Sequence, residues 1–137
     1  GFSMGAAGSI FWGGKYPEIF STVVALDAGG GNSVSDPTMR NFIPEYIENT
    51  EIIRSSVKIR LVQGGLNTKN FQETLKELAI PFDLEYLPNA ASDYTENSCC
   101  LNKKDPSKKF LHNPKCMTEG EWGKRTWEFI DANTRWD

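Results

Sequence analysis

Three side chains in this sequence have the chemistry of an acyl-transfer site: Ser3, Asp27 and His112. Ser3 lies in Gly1-Phe2-Ser3-Met4-Gly5, the G-x-S-x-G pattern in which a strand turns sharply into a helix and holds a serine at the apex. A serine hydroxyl is a poor nucleophile until a histidine takes its proton and a carboxylate orients that histidine. His112 is the only histidine in the chain, and Asp27 closes an apolar run, so a set Ser3, Asp27, His112 would run in the order serine, acid, base. The backbone N–H of Met4, the residue after the serine, would give one half of an oxyanion hole. Each residue also has a plain structural alternative. His112, between Leu111 and Asn113, reads first as a solvated loop histidine. Asp27 reads equally well as a turn residue before Ala28-Gly29-Gly30-Gly31, and Ser3 as an elbow kept after activity was lost.

The elements that must position these residues alternate between helix and strand. Ala6 to Trp12 reads as a helix with a first turn of small residues, ended by Gly13-Gly14. Thr22-Val23-Val24-Ala25-Leu26 is a continuous β-prone run, expected for a strand covered on both faces. Asp36-Pro37 looks like a helix start, and Pro44 opens a short helix to about Asn49. Val57 to Val62 is the next strand, closed by Gly64-Gly65. Thr68 then caps a helix with Phe71, Leu75 and Leu78 on one face. Phe82 to Leu87 alternates as a strand nearer the sheet edge. Thr118 to Glu121 has the form of a capping box opening a last helix, with Trp122, Phe129 and Ile130 as its inward face. Ala90 to Met117 reads as a long polar connection, and long loops tend to be functional or mobile. The alternation predicts one α/β unit over residues 1–137, with parallel strands, right-handed crossovers and flanking helices.

Gly1-Phe2-Ser3-Met4-Gly5-Ala6-Ala7-Gly8, followed by Lys15-Tyr16-Pro17-Glu18-Ile19-Phe20 and the run Ser21 to Leu26, resembles the α/β-hydrolase superfamily. The likeness is to its esterase D and feruloyl esterase group, and it extends through Ile80-Pro81-Phe82 to Leu87-Pro88. It implies the C-terminal part of that fold, with the N-terminal strands absent from this chain, and a small-molecule ester or acyl substrate. Neither cofactor nor metal is called for. Three strands beginning at the elbow would leave an apolar edge. That edge implies a partner, either a missing N-terminal half or a second chain.

Two positions depart from the family pattern. Where the family carries its acid after the seventh strand, this chain has Gln63-Gly64-Gly65-Leu66-Asn67. Where the family histidine stands, it has Ser92. Two losses together predict a lapsed site, in which Ser3→Ala would leave p-nitrophenyl acetate turnover unchanged. A substitute triad of Ser3, Asp27 and His112 predicts a working esterase, and a non-catalytic subunit used for binding or assembly is the alternative.

A formal charge of −3 and a pI near 5.2 argue against a general nucleic-acid binder. The apolar runs are too short to cross a bilayer. Cys99, Cys100 and Cys116 lack zinc-site spacing, and a bond from Cys99 or Cys100 to Cys116 would favour an oxidising, secreted or periplasmic setting. Trp12, Trp122, Trp127 and Trp136 could stack on a sugar or phenolic ester, although Trp12 and Trp122 read as core.

Overall fold

The computed structural model describes residues 1–31, 41–87, 100 and 111–133. The helix start expected at Asp36-Pro37, and also Ser92, Cys99 and Trp136, lie outside the described residues. Three parallel strands, β1 (Thr22–Leu26), β2 (Lys58–Gln63) and β3 (Asp83–Tyr86), form one sheet in the order β1-β2-β3. Around it lie α1 (Met4–Lys15), α2 (Ile43–Glu48), α3 (Thr50–Ser56), α4 (Lys69–Glu77), α5 (Pro114–Thr118) and α6 (Gly120–Asn133). The α/β arrangement with flanking helices is therefore the one expected.

The period-2 pleat sorts the strand residues onto two faces. Val23, Ala25, Ile59 and Leu61 face a larger core with Ala6, Ile10, Tyr46, Ile53, Phe71 and Leu75, drawn from α1 to α4. Leu26 and Val62 face a smaller core with Cys100, Leu111, Cys116, Met117 and Trp122. Both faces of β1 are thus covered, which is why its sequence is an unbroken apolar run.

Several local expectations are overturned by tertiary packing. Gly13-Gly14 does not end the first helix, which continues to Lys15. The pair lets α1 lie against its neighbours instead. A Cβ at Gly13 would collide with Val23 Cγ2, and one at Gly14 would come within 2.5 Å of Tyr46 Cε2. Thr68 makes no side-chain cap; its hydroxyl donates to Gln63 Oε1 at 2.8 Å. Thr118 does not open a capping box but closes α5, donating to the Pro114 carbonyl. Phe129 and Ile130 are only partly buried, and α6 buries Trp122, Gly123 and Thr126. Trp12 is not core: it is 50% exposed and stacks on Tyr16. Two helices were not foreseen: α3, and α5 inside the expected loop.

On the outer side of β1, Gly1 to Ser3 begin a further parallel ladder. Gly1 N donates to the Val24 carbonyl, Leu26 N to Gly1 O, and Ser3 N to Leu26 O, at 2.8, 2.8 and 2.9 Å. Phe2 pairs with Leu26 as an isolated bridge. Beside this edge runs an open groove of about 910 Å³, lined by Gly5, Gly8, Trp12, Phe20, Val24 and Ile130.

A charged network ties α6 to the other end of the sheet. Arg60, 2% exposed, donates to Asp83, to Glu85 and, through Nε, to Thr126 Oγ1; Arg125 also reaches Glu85. Burial pushes the Glu85 carboxyl up, but hydrogen bonds from Arg125 and Arg60, with their charges, outweigh it and hold the group below its ordinary 4.5. A lowered folded value means the stabilisation is present above 4.5 and is lost as pH falls through that lower value. Thermal melts should therefore show Tm dropping on acidification below that point. Glu85→Gln should lower Tm at neutral pH and flatten the acid limb. An acid limb as steep in Glu85→Gln as in the wild type would contradict the assignment.

Candidate active site

Open α/β sheets bind ligands beyond the carboxyl ends of their strands, and Ser3 and Asp27 lie at that end of this sheet. Phe2, paired to Leu26, leads directly into Ser3, and α1 starts at Met4. Asp27 follows the last residue of β1, and Gly64 to Leu66 follow β2. Ser3 has φ 57 and ψ −120, and Asp27 has φ 54. Among the described residues only Ala79 joins them as a non-glycine residue at positive φ. Such conformations cost on the order of 1–3 kcal/mol each and persist where surrounding bonds over-determine them. Ser3 is held by its N–H on the Leu26 carbonyl and by its own carbonyl, which accepts from Ala6 N and Ala7 N.

Asp27 is fully buried, and its carboxylate is held by backbone. Oδ1 accepts from Gly64 N at 2.8 Å and Leu66 N at 2.9 Å, and Oδ2 accepts from Gly65 N at 3.0 Å. The three donors come from the turn that follows β2, so that turn cradles the carboxylate. A side chain at Gly65 would press on His112 Cβ and Asp27 Oδ2, at 3.1 and 3.3 Å, and one at Gly64 would meet Met117 Cε at 2.9 Å. Gln63 fixes the cradle, its amide donating to the carbonyls of Ala28 and Leu66 while its oxygen accepts from Thr68.

His112 joins the other two. Its Nδ1 lies 2.5 Å from Asp27 Oδ2 and its Nε2 lies 3.0 Å from Ser3 Oγ. His112 is a partly exposed loop residue, as one reading has it, but both ring nitrogens have a partner. Its ring packs on Phe2, centroids 4.7 Å apart, and its backbone runs between buried Leu111 and Asn113, whose side chain caps α5 through Lys115 N. In the tautomer in which Nδ1 donates to the Asp27 carboxylate, Nε2 faces Ser3 Oγ with a lone pair and can accept its proton. The Met4 N–H heads α1 beside Ser3, with no hydrogen bond of its own among the described residues.

Comparison with protein-family models, with curated proteins and with solved structures gives no match to this chain. The site thus stands on its own geometry. Among the described residues no cluster of three or more His, Cys, Asp or Glu could hold a metal, and no helix is long and apolar enough to cross a membrane.

The Gly64 to Leu66 cradle, Gln63 and the Phe2 platform were not foreseen in the sequence. The available signal was the glycine pair closing β2 beside the strand that Asp27 follows. Of the two cysteine pairings left open, the one formed is Cys100–Cys116.

Proposed function

We propose that this chain carries a serine carboxylesterase site of the α/β-hydrolase type, acting on small carboxylic esters through Ser3. The observation that carries the reading is the unbroken hydrogen-bonded line from Ser3 Oγ through His112 to Asp27. The lapsed-site reading rests on the family positions for acid and base being empty; the contacts of His112 with Ser3 and Asp27 favour the substitute triad instead. The positive φ of Ser3 and the parallel strand order lend support to the hydrolase-type elbow.

In the reaction, Ser3 Oγ attacks the ester carbonyl carbon while His112 Nε2 takes the hydroxyl proton. Asp27 stabilises the imidazolium and keeps its orientation. The Met4 N–H donates to the oxyanion of the tetrahedral adduct. The adduct collapses as His112 returns the proton to the departing alkoxide, leaving an acyl ester on Ser3. A water, deprotonated by the same Nε2, then attacks the acyl carbon, releases the carboxylic acid and restores Ser3.

The reading includes a strand partner. The ladder begun by Gly1 to Ser3 and the apolar groove beside it favour an extended apolar segment pairing in parallel with β1. A preceding half of the protein or a second chain would supply it.

The test is hydrolysis of p-nitrophenyl acetate by the wild type and by Ser3→Ala. Saturable turnover that Ser3→Ala abolishes is expected. Equal rates in the two proteins would reject the esterase reading.

A further inference from the structure

We propose that the Cys100–Cys116 disulfide is the positioning element that holds His112 against Ser3 and Asp27, and that its reduction by a dithiol turns the site off while the larger core stays folded. The proposal rests on the esterase reading for its effect on rate, though not for its effect on His112.

The segment that carries the base is held through the smaller core, by Leu111 before it and by Cys116, Met117 and Trp122 after it. His112 is followed at once by α5, five residues long and far too short to persist as a helix on its own. Within α5 only Cys116 and Met117 are buried. Cys116 is bonded to Cys100, and both are 0% exposed within the smaller core that also contains Leu111. His112 therefore sits between two anchors of that core, Leu111 on one side and the disulfide on the other. Its ring makes two hydrogen bonds and packs on Phe2, each a small net gain against the entropy of ordering the segment. Among the described residues the larger core takes no buried member beyond Ile80, and the last side chains packed against it are Phe82 and Leu84. Loss of the crosslink thus falls first on the base, while β1, β2 and α1, which carry Ser3, Asp27 and the Gly64 to Leu66 cradle, remain bound through their other face into the larger core.

In the switching step a thiolate of the dithiol attacks one cystine sulfur and releases the other as a thiolate. The second thiol of the reductant then displaces the mixed disulfide. Two electrons pass to the cystine, the two cysteines end protonated as thiols, and the reductant ends as a disulfide. Because both sulfurs are buried, attack waits on local opening of the smaller core.

The experiment compares oxidised protein with protein treated with dithiothreitol, the free thiols being counted by alkylation and mass. His112 is the only histidine, so imidazole nitrogen and proton NMR signals report it without ambiguity. In the oxidised state a low-field Nδ1 proton, shared with Asp27, is expected. On reduction that signal should vanish and Ser3-dependent turnover should fall at least tenfold, while the methyl signals of Ile10, Leu61 and Leu75 remain. Reoxidation should restore both. The Cys100→Ser/Cys116→Ser variant should behave as the reduced protein does. A low-field signal that persists after complete reduction overturns the proposal. So does collapse of the core methyl signals, which would make the bond a general staple. If the oxidised protein has no Ser3-dependent turnover, the esterase reading fails alone, and the imidazole signals still decide the positioning role.

Discussion

Replacing His112 by alanine is expected to lower Ser3-dependent turnover of p-nitrophenyl acetate by on the order of 10⁶-fold. The size follows from the geometry. Among the described residues Ser3 Oγ has one base within hydrogen-bond reach, His112 Nε2 at 3.0 Å, and the sequence has no second imidazole to replace it. The change should cost little stability, because the ring is about a third exposed and its main apolar contact is one face of Phe2. Since base and nucleophile act as a unit, the Ser3→Ala/His112→Ala double variant should be no slower than either single one. Turnover that survives His112→Ala but not Ser3→Ala would mean that the base comes from outside this chain.

Asp27→Asn is expected to reduce kcat by on the order of 10⁴-fold through the wrong imidazole tautomer. With its oxygen kept at the Oδ1 position, an asparagine still accepts from Gly64 N and Leu66 N. Its NH₂ then occupies the Oδ2 position, where it meets the Gly65 N–H and His112 Nδ1, both donors in the wild type. The imidazole answers by moving its proton to Nε2, which then faces Ser3 with a hydrogen instead of a lone pair. Flipping the amide is worse, since its NH₂ would then oppose two backbone donors instead of one. Asparagine tolerates the positive φ of position 27, so the backbone should survive. A stability loss of about 1–3 kcal/mol is expected from the Gly65 N–H left without an acceptor. Steady-state kinetics with a parallel denaturant melt checks both. A loss of rate below tenfold would show that Asp27 does not set the tautomer.

The part of this site legible in the sequence was the part encoded locally. G-x-S-x-G fixes a strand-to-helix turn within five residues, and the run Thr22 to Leu26 announces both its strand and the place where Asp27 must stand. His112 could be named from residue order but not located, because its partner Ser3 is 109 positions away and the meeting depends on packing. The departures have the same origin. Gly64-Gly65 looked like a lost acid when read along the chain, whereas in space the turn lies beside the end of β1 and supplies three N–H groups. Gly13-Gly14 looked like a helix end until Val23 and Tyr46 were found against it. Trp12 has an apolar character that suggested core, but it lies over the groove beside the β1 edge, where half its surface remains exposed. Residues whose role is set by a partner distant in sequence are the ones that local pattern misplaces.

The central claim is that His112 and Asp27 activate Ser3, and covalent capture tests it most directly. A fluorophosphonate phosphonylates only a serine whose proton a neighbouring base can take. The wild type incubated with the probe should gain one adduct by intact mass, mapped by peptide sequencing to Ser3. Ser3→Ala and His112→Ala should gain none. Wild-type protein that remains unlabelled, or labelling that persists in Ser3→Ala, would contradict the account.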